Sequence, residues 1–204
     1  MTILLLIASA VVGAAAIYPY IRDIIRGIAR PRIITWAIWT FLAGIMTLSA
    51  LLAGEISSAV LSAQGFIGCG IVVILGWRQG STTIGRLDAT SLAGAVVGLI
   101  ALVWLRDPTV ALLLSVGIDA IAFAPTLKHA WTDPHEESTA CYALNIAASG
   151  LAMIAGIGAG AGFIGLVYPI YSITFNMIMT TLLLAAGTSI LNNKRRLDSE
   201  DAAT

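Results

Sequence analysis

The sequence predicts an all-α polytopic membrane protein with seven transmembrane helices, laid out as two parallel three-helix repeats around a linker helix. Three observations carry that prediction. The 204 residues are 58% hydrophobic and only 11% charged, with a mean hydropathy of +0.93, whereas soluble domains average about 45–50% apolar and about 25% charged. Charges and Gly/Pro punctuation cut the chain into seven segments near the roughly 20 apolar residues that a bilayer crossing needs. Prolines and amides then recur at matched places in the two halves. A chain with so little polar surface cannot cover a water-soluble globule, which sets aside a soluble enzyme. Zero net charge sets aside a nucleic-acid partner, and two cysteines set aside a disulfide scaffold.

The predicted spans run near 2–21, 33–54, 56–77, 89–105, 108–127, 138–156 and 164–190. Span one starts directly after Met1-Thr2 with no basic leader and continues through Tyr18-Pro19-Tyr20, so it reads as a span and not a cleavable signal. Pro31, Pro108 and Pro134 are expected in the first turns of spans two, five and six, where a missing N–H costs nothing. Asp107 and Asp133 are the expected N-caps before two of them, with Glu136 and Glu137 in the first turn of span six. The uncharged run from Ser138 to Asn193 is too long for one helix and is expected to break at Gly156, Gly158, Gly160 and Gly162. Pro19, Pro125 and Pro169 fall inside spans one, five and seven, where each removes a backbone hydrogen bond and kinks the helix.

Orientation follows from the basic residues. Arg22, Arg26, Arg30, Arg32, Arg78 and Arg86 lie in loops on one side, with Lys128, Lys194, Arg195 and Arg196; only Arg106 lies on the other. The positive-inside rule then puts the N-terminus outside and the C-terminus in the cytoplasm. The Arg22, Arg26, Arg30 stripe is read as a set of headgroup anchors, and Glu55, in a short outer loop, as solvated.

The repeat is visible in spans one and five. Each carries an interior proline near its cytoplasmic end, in Ile17-Tyr18-Pro19-Tyr20 and Phe123-Ala124-Pro125-Thr126. A polar loop, a second proline and a Ser/Thr-aromatic stretch follow in both halves, and spans three and seven each hold one amide, Gln64 and Asn176. This divides the chain into a first repeat (1–80), a linker helix (81–106), a second repeat (107–193) and a cytoplasmic tail (194–204). An odd linker lets both repeats point the same way. In this layout, and in Pro19-Tyr20, Pro125-Thr126, Gln64 and Asn176, the chain resembles the SWEET and PQ-loop superfamily of seven-helix transporters. The family's glutamine after proline is replaced in both halves, and one of its paired asparagines is Gln64. The chain also resembles a set of bacterial membrane proteins that carry Asp-Ala-x-x-Phe-x-Pro-Thr, here Asp119 to Thr126, and Tyr-Pro-x-Tyr, here Tyr168 to Tyr171. The resemblance implies outward-N, inward-C topology and alternating access.

Asp119 is the only Asp, Glu, Lys, Arg or His inside any predicted span, and its counterpart in span one is Gly13. An intramembrane acid costs about 2.5–3.5 kcal/mol on insertion scales, and so suggests a proton-coupling group or a counter-ion for a cationic substrate. The plainer alternative is a protonated Asp bonded to a neighbouring helix. Gln64, Asn176 and Asn145 offer the paired donor and acceptor that recognise a ligand in an apolar cavity, or that join helices. Trp36 and Trp39 share one helix face, and Tyr168 and Tyr171 flank Pro169. All four are candidate gates or members of interfacial aromatic belts. Pro19 and Pro125 are candidate hinges. Cys69 and Cys141 are read as small packing residues.

No nucleophile–base pair, metal cluster or cofactor motif emerges, so the expected activity is not enzymatic. The expected function is small-solute transport by alternating access around a midplane site, linked to a proton or cation. The alternative is a non-transporting receptor or interaction module on the same fold. Expected partners are a small-molecule substrate and the lipid bilayer, with homo-oligomerisation left open. The expected location is a bacterial inner (cytoplasmic) membrane, crossed several times.

Overall fold

The computed structural model describes residues 1–100, 103–104 and 107–201, without the side chains of residues 87, 88, 91, 95, 98, 99 and 188–201. Seven α-helices follow one another: α1 (Thr2–Ile25), α2 (Ile33–Leu52), α3 (Ile56–Gly76), α4 (Arg86–Ile100), α5 (Pro108–Thr132), α6 (Thr139–Gly158) and α7 (Phe163–Asp201). All but α4 are long and apolar enough to cross a membrane, which makes this a multi-pass membrane protein. Helix α4, the expected linker span, is described over 15 residues. The rest of that expected span includes residues outside the described ones, as does Arg106.

The helix ends follow local chemistry. Asp107 caps α5, its carboxylate accepting from the Thr109 and Val110 amides at 2.9 and 3.3 Å, with Pro108 at the first helical position. The expected glycine break falls between α6 and α7, where Gly160 takes φ +74°, a conformation that L side chains rarely adopt. Several expectations need correction. Pro134 opens only a 3-10 turn (Pro134–Glu136), and α6 starts later, at Thr139, so Glu136 and Glu137 precede the helix and do not meet its dipole. Pro31 lies ahead of α2, and its carbonyl accepts from the Ser81 amide at 3.0 Å while Ile33 donates to the Ser81 carbonyl at 2.9 Å. The arginine stripe is broken, because α1 ends at Ile25 and the left-handed Gly27 takes Arg30 off the helix. Glu55 is half-buried, its carboxylate lying so close to Gly165 of α7 that a Cβ there would overlap it.

Helix α1 packs on α6 and α3, α2 on α3 and α5, α6 on α7, and α5 on α7 and α4. The α1–α6 contact is made by small residues. Ser9, Gly13 and Ala16 form the buried face of α1, and Ala148, Ala152 and Ala155 are fully buried on α6. Without a hydrophobic force between helices in lipid, such residues let backbones approach and add dispersion and hydrogen bonds. The Ser9 hydroxyl donates to the Ala148 carbonyl at 2.8 Å, the Ser58 hydroxyl to the Gly165 carbonyl at 2.7 Å, and the Ser149 and Ser172 hydroxyls meet at 2.8 Å. The outer faces are apolar; on α1 they carry the exposed Leu4, Ile7 and Val11. Ala152→Leu would overpack the α1–α6 seam and is expected to lower stability by about 1–3 kcal/mol, measured as a drop in the unfolding temperature of the detergent-purified protein.

Candidate functional site

Asp119 lies about halfway along α5, and α7 brings Tyr171 to it. The Tyr171 hydroxyl donates to Asp119 Oδ2 at 2.6 Å, a short hydrogen bond. One turn earlier on α7, Tyr168 lines the same space, its hydroxyl seated over Gly65 of α3, where a Cβ would sit at 3.3 Å. Pro169, buried between the two tyrosines, lies inside α7.

The amides come from three helices. Asn176 of α7 donates to the Ser172 carbonyl at 2.7 Å, and Asn145 of α6 donates to the Cys141 carbonyl at 3.0 Å, so each bonds the preceding turn of its own helix. Gln64 of α3 differs. Both its amide nitrogen and its amide oxygen are buried without a hydrogen-bond partner. Its side chain fills the space above Gly13 of α1, where any Cβ would overlap the Gln64 oxygen.

Aromatic rings close one side of the space. Trp36 meets Trp39 edge-on at 5.3 Å between centroids, Trp39 meets Phe175 at 5.5 Å, and Phe175 meets Phe123 at 4.0 Å. Trp36 and Trp39 are 5% and 7% exposed, whereas Trp77, Trp104 and Trp131 are exposed.

Asp119, Gln64, Asn145 and Asn176 thus line one cavity of about 120 Å³ between α1, α2, α3, α5, α6 and α7. Trp36, Trp39, Tyr168 and Tyr171 line it too. Pro19 and Pro125 do not; they lie inside α1 and α5 away from it, Pro125 beside a separate recess of about 380 Å³ with Arg32, Arg86, Lys128 and His129. Cys69 and Cys141 are free thiols on the cavity wall. The sequence reading passed over Tyr142, Ser172 and Phe175, which also line it; the available signal was helical register, Tyr142 with Asn145, Ser172 with Asn176 and Phe175 with Tyr171.

Glu137 was misread as a helix-dipole residue. It is 8% exposed and accepts from the Tyr142 hydroxyl at 3.0 Å, while Tyr20, tilted against Trp36 at 4.9 Å between centroids, faces the same carboxylate from α1. Tyr142 therefore has one end on the cavity and the other on this buried acid. Burial pushes the Glu137 carboxyl up to about 7; the Tyr142 and Tyr20 hydroxyls oppose the rise, and Glu136 adds to it. Compared with known protein families, curated proteins and solved structures, the chain matches none of them.

Two predictions follow from this geometry. The folded protein holds a proton on Glu137 that the unfolded chain releases near its ordinary value of 4.5. Glu137 thus favours folding most at low pH, and stability falls as pH rises from there through about 7, by up to about 3 kcal/mol. Glu137→Gln should flatten that slope in unfolding scans across the range. Replacing Gln64 by Met, similar in shape but without unpaired polar atoms, should raise stability by about 1–3 kcal/mol in chemical or thermal unfolding; a loss would mean that the amide is already satisfied.

Proposed function

We propose that the protein is a small-solute transporter that works by alternating access, with a proton or a cation linked to loading through Asp119. The observation that carries this reading is the cavity itself: an intramembrane acid, three amides and six aromatic residues converge on it from five helices, with Gly13 and Ile17 of α1 completing the wall. Polar groups placed in an apolar bundle at a stability cost are functional candidates by default. The packing supports two repeats, 1–80 and 107–193. Exchanging α1, α2 and α3 for α5, α6 and α7 turns the α1–α6 contact into α5–α2, α1–α3 into α5–α7 and α2–α3 into α6–α7, all of which occur. Such a pseudo-two-fold pairing is what two parallel halves rocking around a central site require. Pro19 and Pro125, at matched places in α1 and α5, would let their ends bend, in the orientation that the basic loops favour. The reading agrees with the SWEET and PQ-loop resemblance and with a bacterial inner membrane.

The test is counterflow in proteoliposomes, run with labelled amines, amino acids, sugars and organic acids from about pH 5 to 8. At least one class should exchange across the membrane, and Asp119→Asn should lower that exchange at least ten-fold at some pH in the range. Exchange that Asp119→Asn leaves unchanged throughout would remove the coupling role. A compound that stabilises the purified protein without ever exchanging would favour a receptor module on the same fold.

A further inference from the structure

Deepening the proposed function and resting on it, we infer that the cavity takes a small organic ammonium ion that also carries a hydrogen-bond acceptor. Charge is the first argument. Asp119 is the only formally charged residue type on the wall, with no Lys, Arg or His to neutralise it, and the Tyr171 hydroxyl is the one hydrogen bond given to its carboxylate among the described residues. An anion or a dianionic sugar phosphate would face that carboxylate unaided. A cation supplies the missing partner in a site where pairing counts for more than it does in water.

The second argument is the wall. Trp36, Trp39, Tyr142, Tyr168, Tyr171 and Phe175 supply six of the chain's fifteen aromatic side chains to one small space. Aromatic rings attract ammonium groups through their quadrupoles, tryptophan best, and most strongly when both partners are desolvated. A neutral polyol would find few hydrogen bonds on such a wall, because Asn145 and Asn176 already direct their donors to their own helices.

The third argument sets size and polarity. The volume of about 120 Å³ is a little below the roughly 150 Å³ cavity that accepts benzene, so the ligand has about six heavy atoms. Gln64, with nitrogen and oxygen both unpartnered, offers one donor and one acceptor. Its oxygen suits an ammonium N–H or the polarised methyl of a quaternary centre. Its nitrogen needs an acceptor on the ligand, which a hydroxyl or carbonyl two or three bonds from the charged nitrogen would provide.

Isothermal calorimetry on the purified protein near neutral pH tests the assignment with ethanolamine and choline against ethylene glycol and neohexanol, their uncharged isosteres. Each cation should bind at least ten-fold more tightly than its isostere, and ethylamine, which lacks the hydroxyl, several-fold more weakly than ethanolamine. Asp119→Asn should cost at least ten-fold for the cations and leave the neutral isosteres unchanged. Equal binding of cation and isostere, or no saturable heat from either cation, overturns the assignment. Because that comparison is made on the unaltered protein, it decides the matter even where Asp119→Asn fails to fold. Counterflow separates the two proposals: cations that bind without exchanging remove transport and leave the ligand class standing. A neutral solute that exchanges while the cations fail to bind does the reverse.

Discussion

The structure depends on how closely α1 and α6 can approach. Ser9 and Ala16 on one helix and Ala148, Ala152 and Ala155 on the other are all small and fully buried, and Ser9 reaches the Ala148 carbonyl. In lipid this contact must come from dispersion and from hydrogen bonds such as Ser9 to Ala148, because burial from hydrocarbon into protein has no hydrophobic drive. Once the seam is that tight, bulk must be accommodated elsewhere. It collects on the inward faces of α2 and α7, as Trp36, Trp39, Tyr171 and Phe175, whose rings meet edge-on or tilted and line the cavity. The cavity is the space that small residues on one side and large rings on the other cannot jointly fill.

Gly13 ties α1 to the site. Its missing Cβ makes room for the Gln64 side chain of α3. A single absent side chain thus admits an unpartnered amide into the bundle. An apolar side chain at position 64 would fill that space at lower cost, so the amide is a feature held against stability, of the kind that marks sites shaped for something other than packing.

Much of this was legible in the sequence, and for identifiable reasons. Length and hydropathy located the apolar stretches of six helices to within about five residues, because a bilayer crossing imposes a long uniform signal. Helix α7 itself continues to Asp201, past the expected end at 190, because helix can run on beyond the apolar stretch that hydropathy detects. Asp119 stood out because nothing like it occurs in the other spans, and Gln64 and Asn176 because they recur at matched depth. The ends of helices were less legible. Proline at 31 and at 134 marks a first turn only when the cap before it is made, and that depends on tertiary contacts such as Pro31 to Ser81. Glu137 was misplaced for the same reason. Next to Pro134, a 3-10 turn and a helix start look alike in sequence, and only the fold brings Tyr142 and Tyr20 to the carboxylate. The aromatic wall was half legible: one face of α2 was visible as Trp36 and Trp39, but Phe175 looked like one more apolar residue in a long apolar helix.

Cys69 and Cys141 have a role that their packing alone does not suggest. The chain contains two cysteines, and both stand on the cavity wall as free thiols, one on α3 and one on α6. Cysteine chemistry in this protein is therefore the chemistry of this one chamber. An oxidant or alkylating agent that enters the space where the ligand would sit meets both thiols. A sulfenic acid or a thioether formed there would add bulk and polarity to a volume of about 120 Å³. Modification of either thiol would then act as a ligand that cannot leave.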